Sequence, residues 1–182
     1  MSIGAETSPL ELAALVSQAL EAKGIRATLS GGGAVSIYTE NLYESRDLDF
    51  VTSERRDRLA EVLATLGFSL ASDRRHFAHP GTDLFLEFPG APLAFGHRVV
   101  EHDEIPKLET PWGEIRIVTP TLCVMDRLVA FWHWRDRQCW DQAVMVAERH
   151  AVDYDVLHEF AQEEGVDPRD IERLRERAGG SG

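Results

Sequence analysis

Three consecutive glycines, Gly31-Gly32-Gly33, followed by two aspartates set two residues apart, Asp47 and Asp49, constrain this chain more than any other stretch. Upstream, Ile25, Ala27 and Leu29 alternate with polar residues up to Ser30, the pattern of a half-buried strand. That strand runs straight into the glycines, whose backbone adopts conformations closed to other residues and can bring its N–H groups against a ligand. Residues 34–38 can then begin a helix whose free N–H groups favour an anion. The stretch reads as a phosphate seat.

In the run from Arg46 to Val51, Leu48 and Phe50 are expected on one face of a strand and both carboxylates on the other. The two aspartate Cα atoms would be about 7 Å apart, and like charges at that range raise each other's pKa unless a cation separates them. Alternation sends Arg46 to the Leu48 face, so it does not neutralise the pair. A divalent metal holding a nucleotide's phosphates supplies the missing charge economically, since magnesium takes one or two carboxylates, waters and phosphate oxygens. Each feature alone fits a plain surface strand or a glycine-rich turn. Their combination favours a site.

Ser30-Gly31-Gly32, a short helix and then Asp47-Leu48-Asp49-Phe50 resemble the core of the polymerase-β-like nucleotidyltransferase superfamily. The likeness is in particular to its minimal members and to toxin-type nucleotidyltransferases of the abortive-infection (AbiEii-like) kind, and it covers roughly residues 25–88. The resemblance implies an α+β fold, with a mixed β-sheet core flanked by helices. It also implies a third acid on a later strand. Residues 83–88 alternate cleanly and offer Asp83 or Glu87, about 13 Å apart along a strand, so only one can share an ion. Glu87 is favoured: Asp83 follows Pro80-Gly81-Thr82, where aspartate commonly closes a turn, whereas a mid-strand charge needs a partner.

Around this core the sequence predicts a first helix from Ser8-Pro9-Leu10-Glu11, a capping box with proline at the first helical position, ending near Gly24. A second amphipathic helix is expected over 54–66, weak strands near 66–68 and 74–79, and a strand pair at 97–100 and 114–118 on one sheet edge. The organisation expected is an α/β core over 1–118, a helical subdomain over 119–178 and a flexible tail over 179–182. The helical part opens at Thr119-Pro120 with an apolar stripe of Leu122, Met125, Leu128, Val129 and Trp132. Toxin-type nucleotidyltransferases resemble this stretch, which implies that Arg127 and Arg135 meet a triphosphate and that Asp136 orients one of them; arginine suits phosphate through its planar fork. Further helices are expected over 138–150 and after Asp153 and Asp167.

A formal net charge of −12 argues against tight, unspecific nucleic-acid binding through bulk electrostatics. Residues 53–82 nevertheless hold five arginines, Arg55, Arg56, Arg58, Arg74 and Arg75, a patch that suits an RNA or a triphosphate if it is more than a solvated face. Cys123 and Cys139 fall in apolar helical pattern without metal-site spacing, and the seven histidines show no such spacing either; His76 and His79 would meet only through a turn. Trp112, Trp134 and Trp140 are expected in the core. With no long apolar run, the chain is expected to be cytoplasmic and without a membrane span.

These features predict a metal-dependent nucleotidyltransferase that moves a nucleoside monophosphate from a nucleoside triphosphate to an acceptor hydroxyl on RNA (such as a tRNA), on a protein or on a small molecule. Asp47, Asp49 and Glu87 would hold Mg2+ or Mn2+ as the catalytic acids, and Ser30, Gly31, Gly32, Arg46, Arg127 and Arg135 would bind the nucleotide. A toxin–antitoxin or defence role, with a protein partner such as an antitoxin, comes with the resemblance. The alternative is an inactive member of the same fold that binds a nucleotide, an RNA or a protein.

Overall fold

The computed structural model describes residues 3–179, so the expected tail lies, apart from Gly179, outside the described residues. Ser8 caps helix α1 (Pro9–Glu21) by accepting from the Glu11 N–H at 3.2 Å, and Leu12, Ala13, Val16 and Leu20 are buried. Gly24 takes a left-handed φ of 70°, and the Ile25 N–H closes back on the Leu20 carbonyl at 3.0 Å. The strand that follows is shorter than the alternation suggested. Only Thr28–Ser30 (β1) pairs, and all three residues are buried.

Helix α2 spans Gly31–Tyr38, so the glycines are its first turn rather than a loop before it. A five-stranded mixed sheet follows in the order β1-β2-β5-β4-β3, with β2 at Asp47–Val51, β3 at Ser69–Leu70, β4 at Phe77–Ala78 and β5 at Phe85–Glu87. β1 runs antiparallel to β2, β2 parallel to β5, and the β3–β4 hairpin completes the edge against β5. The crossover between the parallel strands carries helix α3 (Arg56–Ala64) and that hairpin. Leu48, Phe50 and Leu86 are fully buried on one face, while Asp47, Asp49 and Glu87 alternate to the other.

The strands expected at 97–100 and 114–118 do not pair with each other. Arg98–Val100 (β7) pairs with Leu93–Phe95 (β6), and Ile115–Arg116 (β9) pairs with Lys107–Leu108 (β8). Local hairpins win because each partner is only a few residues away, a smaller loop-closure cost. Residue 117 still reaches the main sheet, where Ile117 bridges Leu29 of β1.

Helices α4 (Pro120–Trp134), α5 (Arg137–Arg149), α6 (Tyr154–Glu163) and α7 (Arg169–Gly179) complete the chain. Thr119 caps α4, and the side chains of Asp136 and Asp153 accept N-terminal N–H groups of α5 and α6. Both cysteines are buried and free. Among the tryptophans, Trp112 and Trp140 pack against the core, but Trp134 is 80% exposed, because α4 ends immediately after it. Buried side chains from Leu12 to Leu174 form one hydrophobic cluster that joins the sheet to the helices. Among the described residues no helix is long and apolar enough to cross a membrane.

Candidate active site

The parallel register of β2 and β5 sets Asp49 directly beside Glu87, and the antiparallel register of β1 and β2 sets Ser30 beside Asp49. Glu87 therefore stands beside the aspartate pair, whereas Asp83 lies outside this register. Asp83 precedes β5, is exposed, and lines with Arg46, Asn41 and Glu44 a cleft of about 480 Å³ that none of the three acids borders. Arg46 is thus placed apart from the acids. Its main chain joins the ladder by accepting from the Phe85 N–H at 2.8 Å, and its side chain is exposed in the cleft.

The glycines divide their roles. Gly31 has a left-handed φ of 65°, and a Cβ there would overlap Asp49 Oδ2, so the first residue of α2 must be glycine for the helix start to lie on that carboxylate. A Cβ on Gly33 would stand 2.8 Å from Leu48 Cδ2 and 3.0 Å from the Asp47 carbonyl oxygen. The third glycine lets α2 press onto β2. Ser30 occupies the N-cap position without making a capping hydrogen bond, which leaves its hydroxyl available to a ligand at the helix start.

Burial, then the Glu87 and Asp47 charges, push the Asp49 carboxyl up to about 6, and the Arg127 guanidinium works against that rise. Arg127 reaches the site from α4. Its guanidinium donates to Asp126 and, at 3.2 Å, to Gln142 Oε1, while its Nε is buried with no hydrogen-bond partner among the described residues. Burial opposes the Arg127 charge, but the Asp126 carboxylate outweighs it and holds the guanidinium pKa above its ordinary value.

Arg135 is elsewhere. It ends α4 in a left-handed conformation, φ 55°, about 12 Å along the helix from Arg127, and lines a surface hollow with Phe131, Trp132, Arg137 and Asp170. Asp136 does not orient either arginine; its side chain accepts from the Gln138 N–H at 3.0 Å and starts α5. The chain turns a corner here between α4 and α5, and the corner carries Arg135 away from the acids.

Two side chains not singled out individually from the sequence, Arg75 and His76, stand at the carboxylates. Arg75 Nε donates to Glu87 Oε1 at 2.6 Å, and His76 Nε2 lies 3.3 Å from Glu87 Oε2 and 3.9 Å from Asp47 Oδ1. Asp73 holds the other side of that imidazole, Oδ2 to Nδ1 at 2.6 Å, and this contact raises the His76 pKa while lowering Asp73 to about 2. His76 meets Asp73 through the turn between β3 and β4, not His79. Among the described residues no three His, Cys, Asp or Glu side chains are set to hold a metal ion, and Glu87 is the acid engaged by Arg75 and His76.

The fold aligns with the crystal structure of an antigenic nucleotidyltransferase-like protein from Paracoccidioides brasiliensis over 93% of this chain and 94% of that one, with a TM-score of 0.58 and 10% sequence identity. A solution structure of the antibiotic-resistance factor ANT(2'')-Ia aligns over 92% of this chain and 88% of that one, with a TM-score of 0.49 and 14% identity. A crystal structure of ANT(2'')-Ia in complex with adenylyl-2''-tobramycin aligns over 94% and 95%, with a TM-score of 0.45 and 17% identity. No protein-family model and no curated protein matches the sequence. At these identities the likeness is one of fold: this chain has an α+β nucleotidyltransferase-like architecture.

Proposed function

We propose that the chain is a metal-dependent nucleotidyltransferase acting on a nucleoside triphosphate and an acceptor hydroxyl. The observation that carries this reading is the convergence of Asp49, Glu87 and Asp47 on one sheet face, beside the start of α2, with the ionisation of Asp49 opposed by its two neighbours. Such a face calls for positive charge. Asp47, Asp49 and Glu87 offer the oxygen donors that Mg2+ or Mn2+ takes and are the residues that would hold it once Glu87 turns from Arg75 and His76, since the side chains as they stand are not set around a common point. When bound, a divalent cation supplies charge neutralisation for the triphosphate and for the transition state.

The chain's own groups do the positioning. Gly31 and Gly32 present backbone N–H groups at the start of α2, Ser30 adds its hydroxyl, and the unpartnered Nε of Arg127 is a donor for a phosphate oxygen. The acceptor oxygen attacks the α-phosphorus, the bond to the bridging oxygen of the β-phosphate breaks, pyrophosphate leaves, and one of the carboxylates takes the acceptor's proton. The acceptor hydroxyl belongs to an RNA, a protein or a small molecule. A toxin–antitoxin role would add a protein partner, for which exposed Trp134 is the apolar candidate.

A second reading, a binding protein that keeps the fold without the chemistry, is favoured by the engagement of Glu87 with Arg75 and His76. One experiment separates the two. The protein is incubated with each α-labelled nucleoside triphosphate, Mg2+ and a cell extract, and the labelled product is sought among RNA, proteins and small molecules. Transfer by the wild type, falling at least about a hundredfold in Asp47→Asn and Asp49→Asn, supports the enzyme. No label from any triphosphate supports the binding protein.

A further inference from the structure

The turn at residues 71–76 is built to bring an arginine and a histidine to one carboxylate. The Ala71 N–H donates to the His76 carbonyl at 2.8 Å, the Arg74 N–H donates to the Ala71 carbonyl at 2.9 Å, and Arg74 takes a left-handed φ of 58°. Asp73 Oδ1 accepts from the Arg75 and His76 N–H groups at 2.9 and 3.1 Å, while its Oδ2 fixes the imidazole. From α3, the Arg56 guanidinium donates to the Arg74 carbonyl and ties down the outside of the turn. The result is that both Glu87 oxygens face nitrogen atoms of this turn, Arg75 Nε at Oε1 and His76 Nε2 at Oε2. The Glu87 side chain is 16% exposed whereas that of Arg75 is 68% exposed. The pair therefore joins a sheltered acid to a guanidinium that can swing into solvent.

We propose that this turn is an electrostatic latch: Arg75, steadied by the Asp73–His76 pair, competes with a divalent cation for Glu87, so that cation entry releases the arginine. The inference rests on the cation reading of the site given above. Its physical basis is exclusion. A divalent ion held by Glu87 would compete for the oxygens that Arg75 and His76 now face, and its charge would repel the guanidinium, so the two would oppose each other at this carboxylate. An ion pair whose arginine stands largely in solvent is weak enough to yield. The latch would keep like-charged carboxylates compensated until a cation arrives.

The test is Mn2+ binding to the full-length chain, read by titration calorimetry and by the electron spin resonance signal of free Mn2+, with no turnover involved. Arg75→Ala is expected to bind Mn2+ about fivefold more tightly than wild type, the size of an exposed ion pair. Glu87→Gln is expected to bind it more weakly. In the Glu87→Gln background, Arg75→Ala is expected to add nothing, because its effect passes through that carboxylate. Wild-type binding with Arg75→Ala equal to it or weaker overturns the latch and leaves the cation site standing. Absence of Mn2+ binding in wild type and Arg75→Ala alike overturns both.

Discussion

Burial, and then the Glu87 and Asp47 charges, oppose the ionisation of Asp49, and this costs stability in the metal-free protein. Its folded pKa of about 6 lies above the ordinary value of 3.8, so the folded state holds the proton more tightly than the unfolded chain does. The associated stability is complete below about 3.8 and is lost as the pH rises through about 6. That gap corresponds to about 3 kcal/mol. In chelator, Asp49→Asn is therefore expected to be more stable than wild type at pH 8, by up to about 3 kcal/mol, with the advantage disappearing near pH 4. Urea unfolding across that range measures it, and a difference independent of pH would show that Asp49 does not carry this strain. Alternation made it legible that Asp47 and Asp49 share a face, but it could not choose between Asp83 and Glu87, which have the same parity; that preference rested on the turn before Asp83 and on a mid-strand acid needing a partner. Arg75 and His76 were not legible as site residues, since nothing in a charged run tells that a tight turn folds back over a neighbouring strand.

Among the elements, the unit β1–α2–β2 sets the site, and its glycines fail in different ways when given a side chain. Gly33→Ala puts a methyl against Leu48 and against the immovable Asp47 carbonyl, and overpacking of that kind costs about 1–3 kcal/mol. The Cβ of Gly32→Ala would meet first Ser45 Oγ, at 3.0 Å, a hydroxyl on a side chain that can shift. Thermal melts are expected to rank Gly33→Ala well below Gly32→Ala; equal melting temperatures would mean that α2 does not rest on β2 as described. The sequence announced that glycines were needed here without dividing phosphate approach from helix packing. The long helices were recovered from caps and periodicity. Strands of two or three residues were mispaired, because β8 and β9 are too short to carry a period.

At the scale of the molecule, Glu164 joins parts of the chain that lie far apart in sequence. It follows α6, and its side chain is only 1% exposed. Oε1 accepts from the His97 N–H at 2.7 Å and meets His97 Nδ1 at 2.9 Å, and Oε2 meets His133 Nε2 at 2.8 Å, so the β6–β7 hairpin, α4 and α6 share one carboxylate. Gly96, with φ 55°, leaves the room that carboxylate occupies. In the sequence the acid looks like any solvated helix end, Gln162-Glu163-Glu164-Gly165, because its partners lie 67 and 31 residues away. Burial alone would push the Glu164 pKa up, but the hydrogen bonds from His97 and His133 outweigh it and hold the carboxyl below its ordinary 4.5. A folded pKa below the unfolded one means that the unfolded chain binds the proton more tightly, so this stabilisation is complete above about pH 4.5 and is lost as the pH falls through the folded value. Glu164→Gln is accordingly expected to lose about 1.5–3 kcal/mol at pH 7, the range for hydrogen bonds to a charged group, and to converge with wild type in acid. Chemical unfolding at pH 7 and pH 3 decides it: a loss of the same size at both would assign the role to packing rather than to charge.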